Sequence, residues 1–339
     1  MYRRLFSIMA DNRPWILATT LPFSHEQRVI ADKAFRLVVW RDFLQNQDEY
    51  RDKIQGILYI PSEKPPMDEE LLRSMSNLKV LATHSTGTNH LDLPLLWKLG
   101  IKVGHARGIL DDTCADFVFG LLIAAARRLP ECIAHAQGHE GTEPGWDKSN
   151  VPIGVAVSGA RLGILGMGSI GYEVARRATG FKMKVLYHNR TQRSAAEERE
   201  VNATYCQSLE KMLPELDYLV ITCSLNKDSK HLVGKKQLDL MKPTAIIVNG
   251  GRGLIIDQDA MVDALRNGRL RGAALDATHP EPLAKDHPLL HLPNVIITPH
   301  LSSHVGDTLN KVMQNCIDNI NAGVEGRPLP TEVANEPLL

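Results

Sequence analysis

Hydrophobic positions along this chain gather into short apolar runs separated by amphipathic stretches, the alternation that builds a parallel sheet with helices on its faces. In the first part the runs are Trp15–Thr19, Phe35–Trp40, Ile54–Ile60, Val80–Thr83 and Ile101–Gly104. Between them Ser24–Phe35, Met67–Met75 and Leu93–Leu99 read as helices. Ser24 is a candidate N-cap, Asp68, Glu69 and Glu70 make an acidic first turn, and Gly100 stops the third helix. Thr113–Leu129 reads as one long helix, apolar on most faces, the pattern of a helix buried between domains or subunits. Residues 137–161, rich in Gly, Pro and polar groups, read as a long loop or arm. The alternation then resumes with strands at Arg161–Leu165, Lys184–Tyr187, Tyr218–Thr222, Ala245–Asn249, Gly272–Asp276 and Val295–Thr298. Tyr172–Ala178 and Asp257–Asn267 are helices among them, and Thr308–Ala322 is a last amphipathic helix.

The first strand of the second series runs into Gly163-Ile-Leu-Gly-Met-Gly-Ser-Ile-Gly171. Gly166, Gly168 and Gly171 fit G-x-G-x-x-G between a strand and a helix. Gly166 lets the chain turn out of the strand. Gly168, without a Cβ, lets a pyrophosphate approach the backbone, and Gly171 lets the helix pack closely. The free amides from Ser169 and Ile170 onward, at the positive end of a helix dipole, suit phosphate. Six strands is the count of a dinucleotide-binding domain. The fold expected is therefore α/β, two Rossmann-like domains with doubly wound parallel sheets and a cleft between them. Residues 1–110 with 301–339 form a discontinuous substrate-binding domain, and residues 111–300 bind the dinucleotide.

Composition narrows the function. Apolar residues make up 43%, enough for a real core. The charges balance at 39 basic and 39 acidic, so no global field draws nucleic acid or an anionic membrane. No run approaches the length of a transmembrane helix. The five cysteines are scattered and odd in number, which suits a reducing compartment and a cytoplasmic protein. Arg3 and Arg4, with no acid before Asp11, leave a mitochondrial presequence as the lesser reading, and no peroxisomal tripeptide ends the chain.

The second strand of the dinucleotide domain ends in His188-Asn-Arg-Thr-Gln-Arg193, where NAD-preferring folds usually place an acid. Arg190 and Arg193 can instead clamp a 2′-phosphate, so NADP(H) is the expected cofactor, with NAD(H) left open. Three further strands end in Asn249-Gly-Gly-Arg-Gly253, Asp276-Ala-Thr-His-Pro-Glu-Pro282 and Thr298-Pro-His-Leu-Ser-Ser303. Arg252 suits a carboxylate, His300 can donate a proton near neutral pH, and Glu281 can fix an imidazole tautomer and favour its charged form. Singly, each has a bland use: a cation opening a helix, a turn residue before Pro282, a satisfied loop histidine. Their convergence on one sheet edge points to chemistry. Cys132, His135 and His139 have metal-like spacing without a fourth ligand, so no metal is expected. His84, His90 and His105 read as loop and core histidines, and Trp146 as a packing anchor or a dimer contact.

These motifs resemble the D-isomer-specific 2-hydroxyacid dehydrogenases, most closely their glyoxylate/hydroxypyruvate reductase branch, strongly from about Leu78 to Val333. The resemblance implies that Arg252, Glu281 and His300 are the catalytic set. It implies that the Thr86 and Gly87 amides hold the substrate carboxylate together with Arg252, with His300 and Ser303 beside the substrate. The cofactor would meet Gly166, Gly168, Ser169, Ile170, Gly171, Asn189, Arg190, Thr191 and Arg193, with Ser224, Gly250 and Asp276 lining its nicotinamide side. The family's Val-Gly-x-Asp-His is Thr86-Gly-Thr-Asn-His90 here, so Asn89 replaces a loop-bracing acid. The usual Gly-Ser after the histidine is Ser302-Ser303, and Gly250-Gly251 stands where bulkier residues are common. These departures bear on substrate choice rather than reaction type.

The implied activity is NADPH-dependent reduction of a small 2-oxo acid, glyoxylate or hydroxypyruvate, to the D-2-hydroxy acid by a homodimer. 2-Ketogluconate or another 2-oxo acid is the alternative substrate. The alternative of another class is a dinucleotide-sensing, co-repressor-like interaction protein, and a phosphoglycerate dehydrogenase is disfavoured because no regulatory domain follows residue 330.

Overall fold

Local chemistry fixes where the helices begin. Ser24 Oγ accepts the Gln27 amide at 3.1 Å while Gln27 Oε1 accepts the Ser24 amide at 3.2 Å, a capping box that starts α1 (His25–Ala34). Asp68 and Asp92 cap α4 (Glu69–Ser74) and α5 (Leu93–Lys98) by one bond each, their side chains accepting the amides of Leu71 and Leu95. In this computed structural model the described residues are 11–22, 24–61, 65–138, 149 and 151–334. Their contacts divide the chain into two units, one running to Ile109 and resuming at Val305, the other spanning Leu110–His304.

The first unit is a five-stranded parallel sheet, ordered β2 (Arg36–Val39), β1 (Trp15–Ala18), β3 (Ile54–Tyr59), β4 (Val80–Thr83), β5 (Lys102–Gly104). Every residue of β4 is buried, as a parallel strand covered on both faces requires. The apolar run at Phe35–Trp40 leaves the sheet at Val39 and turns into two short helices, α2 (Trp40–Gln45) and α3 (Gln47–Tyr50). The final helix, α13 (Gly306–Val324), packs on β3, β4, β5 and α1, so the end of the chain belongs to this unit. Beyond it the Val333 amide donates to the Val103 carbonyl at 2.8 Å.

The second unit is a seven-stranded sheet, parallel throughout. Its order is β12 (Val295–Ile297), β11 (Gly272–Leu275), β10 (Ile246–Asn249), β9 (Tyr218–Ile221), β6 (Arg161–Leu165), β7 (Lys184–His188), β8 (Ala203–Tyr205). Six strands were expected. The seventh, β8, is only three residues with a threonine in the middle, too short and polar to stand out as an apolar run. Strand order reverses at β6, so the carboxyl ends of β6 and β9 lie side by side at the point where such sheets bind ligands.

The long helix α6 runs Asp111–Arg127 rather than Thr113–Leu129; Asp111 and Asp112 form its acidic first turn and Arg128 ends it in a left-handed conformation. Its buried Ala115, Val118, Leu122 and Ala126 share a core with Val174, Ala175 and Ala178 of α8 (Ser169–Gly180). The apolar character of α6 is thus satisfied inside its own unit and is no argument for a second subunit. A further helix, α7 (Leu129–Gln137), opens with Pro130 and carries Cys132 and His135. His139 and Trp146, with residues 139–148 and 150 of the expected arm, lie outside the described residues. Among the described residues no helix is long and apolar enough to cross a membrane.

Candidate active site

Because β10, β11 and β12 are parallel neighbours, the loops that leave their carboxyl ends stand side by side. Those loops carry Arg252, Glu281 and His300. His300 Nδ1 lies 3.2 and 3.3 Å from the two carboxylate oxygens of Glu281. Both side chains are part-exposed, at 43% and 39%, so the pair is reachable. With Nδ1 facing the carboxylate, Nε2 is the ring nitrogen left for a substrate.

Glu281 also accepts the Thr278 amide at 3.0 Å. Burial alone would raise the Glu281 pKa. The hydrogen bond and charge of His300, the Thr278 amide and the Arg252 charge together outweigh it and hold the carboxyl below its ordinary value. Arg252 Nη1 donates to the Gly251 carbonyl at 2.8 Å. Burial pulls the guanidinium down from its ordinary value while Glu281 and Cys114 oppose it, and an arginine so placed stays charged at neutral pH.

Two buried polar side chains hold these loops in shape. Asn249 Oδ1 accepts the Gly251 amide at 3.0 Å, and its Nδ2 donates to the carbonyls of Arg252 at 3.1 Å and Ala277 at 3.3 Å. Asp276, only 2% exposed, accepts from Thr298 Oγ1 at 2.6 Å, the Leu301 amide at 2.8 Å and the Ser302 amide at 2.9 Å. Residues 301–304 therefore stay with the second unit, and the chain passes back at Val305 rather than at residue 301. His300 sits between these anchors at φ +56°, a left-handed conformation that a residue with a side chain keeps only where neighbours impose it. Asp276 was expected beside the nicotinamide; both its oxygens are spent on the loop that presents His300. Ser302 is buried and Ser303 half-buried. A Cβ on Gly250 would stand 2.4 Å from Val118 Cγ2, so this glycine admits α6 to the sheet edge. Asn249 had no role in the sequence reading, and its position between an apolar strand and a Gly-Gly pair was the available signal.

In the glycine turn after β6, Gly166 and Gly168 have different surroundings. Gly166 has φ +94°, and a Cβ there would meet the Cys223 backbone at 2.4 Å. A Cβ on Gly168, by contrast, would find nothing within 4 Å. No side chain caps the first turn of α8, and no described residue outside the helix accepts from the amides of Ser169, Ile170 and Gly171. Open room beside uncapped amides at a helix N-terminus fits a dinucleotide pyrophosphate. Ser169 Oγ donates to an Asp111 carboxylate oxygen at 3.0 Å. After β9, the Ser224 carbonyl accepts from Ser229 Oγ at 2.8 Å.

The loop after β7 separates the four residues expected to meet the cofactor. Asn189 Oδ1 accepts the Met167 amide at 2.6 Å and its Nδ2 donates to the Met167 carbonyl at 3.1 Å. Arg193 Nε donates to the same carbonyl at 2.7 Å. Arg190 and Thr191 are exposed, and no described residue forms a hydrogen bond or ion pair with either side chain.

In the first unit, Thr86 and Gly87 follow β4 in a loop whose other groups are occupied. Thr86 Oγ1 donates to the Ala106 carbonyl at 3.1 Å, His105 Nδ1 lies 3.0 Å from the Thr86 carbonyl, and Ser85 Oγ donates to the Gly87 carbonyl at 2.7 Å. No described residue accepts from the amides of Thr86 or Gly87. His84 is buried, and burial pushes its pKa down to about 4 against the hydrogen bonds of its own backbone and of Leu309. The His90 ring stacks on Tyr59 with centroids 5.0 Å apart. Among the described residues no group of three or more His, Cys, Asp or Glu could hold a metal.

Known proteins resemble this chain over most of its length. The profile of the family described as D-isomer specific 2-hydroxyacid dehydrogenase, NAD binding domain, matches residues 119–302. Glyoxylate reductase of Thermococcus litoralis is 36% identical over 322 residues, covering 91% of this chain and 93% of that protein. Glyoxylate/hydroxypyruvate reductase B of Klebsiella pneumoniae is 39% identical over 271 residues, covering 78% and 81%. Among solved structures, the NADPH-dependent glyoxylate/hydroxypyruvate reductase of Sinorhizobium meliloti in complex with NADP and malonate superposes with TM-score 0.81 at 27% identity, covering 95% of this chain and 97% of that one.

Proposed function

We propose that this chain, which belongs to the D-isomer-specific 2-hydroxyacid dehydrogenases, reduces glyoxylate and hydroxypyruvate with NADPH, giving glycolate and D-glycerate. The observation that carries the reading is the Glu281–His300 pair beside Arg252, with Nε2 of the imidazole left for substrate. Family membership makes the chain a nicotinamide-dependent oxidoreductase of small 2-oxo and 2-hydroxy acids. NADPH over NADH is supported by Arg190, exposed at the end of β7 where no acid stands, and by the bound NADP of the Sinorhizobium relative.

When bound, the nicotinamide supplies a hydride to the carbonyl carbon. The chain's own groups do the rest. Arg252 binds the substrate carboxylate and polarises the carbonyl. Glu281 holds the imidazole so that Nε2 gives its proton to the carbonyl oxygen as negative charge develops there. The amides of Thr86 and Gly87, which no described residue uses, are proposed as further donors to the carboxylate. The first unit is assigned to substrate binding and the second to the dinucleotide. A second copy is the proposed partner, supported by Leu129 and Ile133 of α7, which expose 41% and 54% of their surfaces. Light scattering after size exclusion reads that mass directly. Five unpaired cysteines support a reducing, cytoplasmic compartment.

The test is loss of NADPH absorbance with purified protein and either acid, with NADH in parallel. Fast loss with NADPH is expected. NADPH binding without turnover of either acid would shift the reading to another 2-oxo acid such as 2-ketogluconate, and binding without turnover of any 2-oxo acid to a dinucleotide-sensing role.

A further inference from the structure

We propose that Glu197 sets the cofactor preference by holding Arg193 on the glycine turn, so that Arg190 is the cation that reads the adenosine 2′-phosphate. The inference rests on the dinucleotide reading of the second unit and concerns which residues of the loop after β7 touch the nucleotide.

Arg193 is anchored three ways. Its Nε donates to the Met167 carbonyl at 2.7 Å, its Nη1 pairs with Glu197 Oε1, and its guanidinium carbon lies 4.6 Å from the centroid of the Tyr172 ring. The side chain is 20% exposed. Reaching a phosphate would mean leaving all three partners. Glu197 is fixed in turn, since its Oε2 accepts from the Ser194 amide at 3.0 Å and from Ser194 Oγ at 2.8 Å at the start of α9 (Ala195–Glu200). The loop is tied at further points. The Arg193 amide donates to Tyr187 Oη at 2.9 Å, and Tyr187 Oη donates to Glu198 at 2.7 Å.

Met167 lies between Gly166 and Gly168, and both of its peptide groups are clamped: the amide by Asn189, the carbonyl by Asn189 and Arg193. Arg193 is therefore a positioning residue for the turn that any dinucleotide uses, while its charge is cancelled by Glu197. Arg190 has no described partner. A 2′-phosphate, present in NADPH and absent from NADH, is the ligand group that distinguishes the two arginines.

The experiment measures dissociation constants for NADPH and NADH by nucleotide fluorescence with the full chain. Glu197→Gln keeps a capping-box side chain but drops the charge. It should tighten NADPH by roughly fivefold, the order of one part-exposed ion pair, and leave NADH within about twofold. Arg190→Ala should weaken NADPH by about tenfold and spare NADH. Arg193→Met should weaken both nucleotides together through the loosened turn. Ser194→Ala, which removes the cap and spares the ion pair, should leave the NADPH/NADH ratio unchanged. Loss of NADPH binding alone in Arg193→Met would make Arg193 the phosphate reader and overturn the proposal, as would an unchanged ratio in Glu197→Gln. If the unaltered protein binds neither nucleotide, the dinucleotide reading falls and this proposal with it.

Discussion

The two edges of the second unit that carry its candidate sites use their polar side chains in opposite ways. At the edge formed by β10, β11 and β12, the groups that suit chemistry, Glu281 and His300, are reachable, while Asn249 and Asp276 beneath them are buried with their polar atoms spent on loop backbone. At the edge formed by β6 and β7 the backbone is what stays available, and the side chains Asn189 and Arg193 are spent holding Met167. The difference follows from the ligands each edge is read to take. A pyrophosphate is held well by amides and a helix end, so side chains there are free to fix the backbone. A carbonyl that gains a proton needs a titratable side chain, so the bracing falls to neighbours that do not face the substrate.

The sharpest way to break this contrast is to remove a worker from the first edge. His300→Ala should lower kcat by about 10²–10⁴-fold, the range for a positioned general acid. Its dissociation constant for NADPH should stay within about twofold, a change too small to register as a lost contact. Equal turnover in the variant would take His300 out of the mechanism, and a matching loss of NADPH affinity would show that the two edges do not act separately.

A histidine in the first unit gives the next test, because it resembles His300 only in residue type. His84 ends the buried run of β4 and packs with Gln27 and the Leu309 carbonyl, and burial holds its pKa at about 4. An ordinary imidazole titrates near 6.5. As pH falls from 6.5, the unfolded chain takes up the proton first, so stability is full above that value, declines down to about pH 4, and then stops changing on this account. The loss amounts to about 3 kcal/mol at most. Urea unfolding at pH 7 and pH 4.5 should show it in the unaltered protein and show a smaller slope in His84→Gln. Equal slopes would mean that His84 is charged in the folded state.

Much of this was legible in the chain, for identifiable reasons. Parallel strands buried on both faces leave apolar runs, so β4, β6, β9, β10 and β11 were readable; β8, with Thr204 at its centre, was not. Strand-end chemistry placed Arg252, Glu281 and His300 on one edge, because residue type and the end of an apolar run are both local facts. What a side chain spends its polar atoms on is not local. The clamp of Asn189 on Met167 spans 22 positions and exists because β6 pairs with β7 in one register, Leu165 opposite His188. The commitment of Asp276 depends on the same kind of register between β11 and β12. The Arg193–Glu197 pair, four residues apart at the start of a helix, was within reach of the sequence, but two arginines beside a glycine turn suggested phosphate first.

The smallest expected effect tests whether bracing at the first edge matters to the chemistry it supports. Asp276→Asn keeps the size of the side chain and one acceptor oxygen. If that oxygen keeps Thr298 Oγ1 and the Leu301 amide, the new amide nitrogen faces the Ser302 amide, donor against donor, where 2.9 Å now separates nitrogen from a carboxylate oxygen. Losing one buried, charge-assisted acceptor should cost about 1–3 kcal/mol of stability. His300 sits two residues from the lost contact in a left-handed conformation that the loop imposes. Its misplacement should lower kcat while NADPH affinity, set at the other edge, holds. A stability loss with kcat unchanged would mean that Asp276 holds the fold and not the histidine. A kcat loss with NADPH affinity falling in step would mean that Asp276 meets the cofactor after all, and the division of labour between the two edges would have to be redrawn.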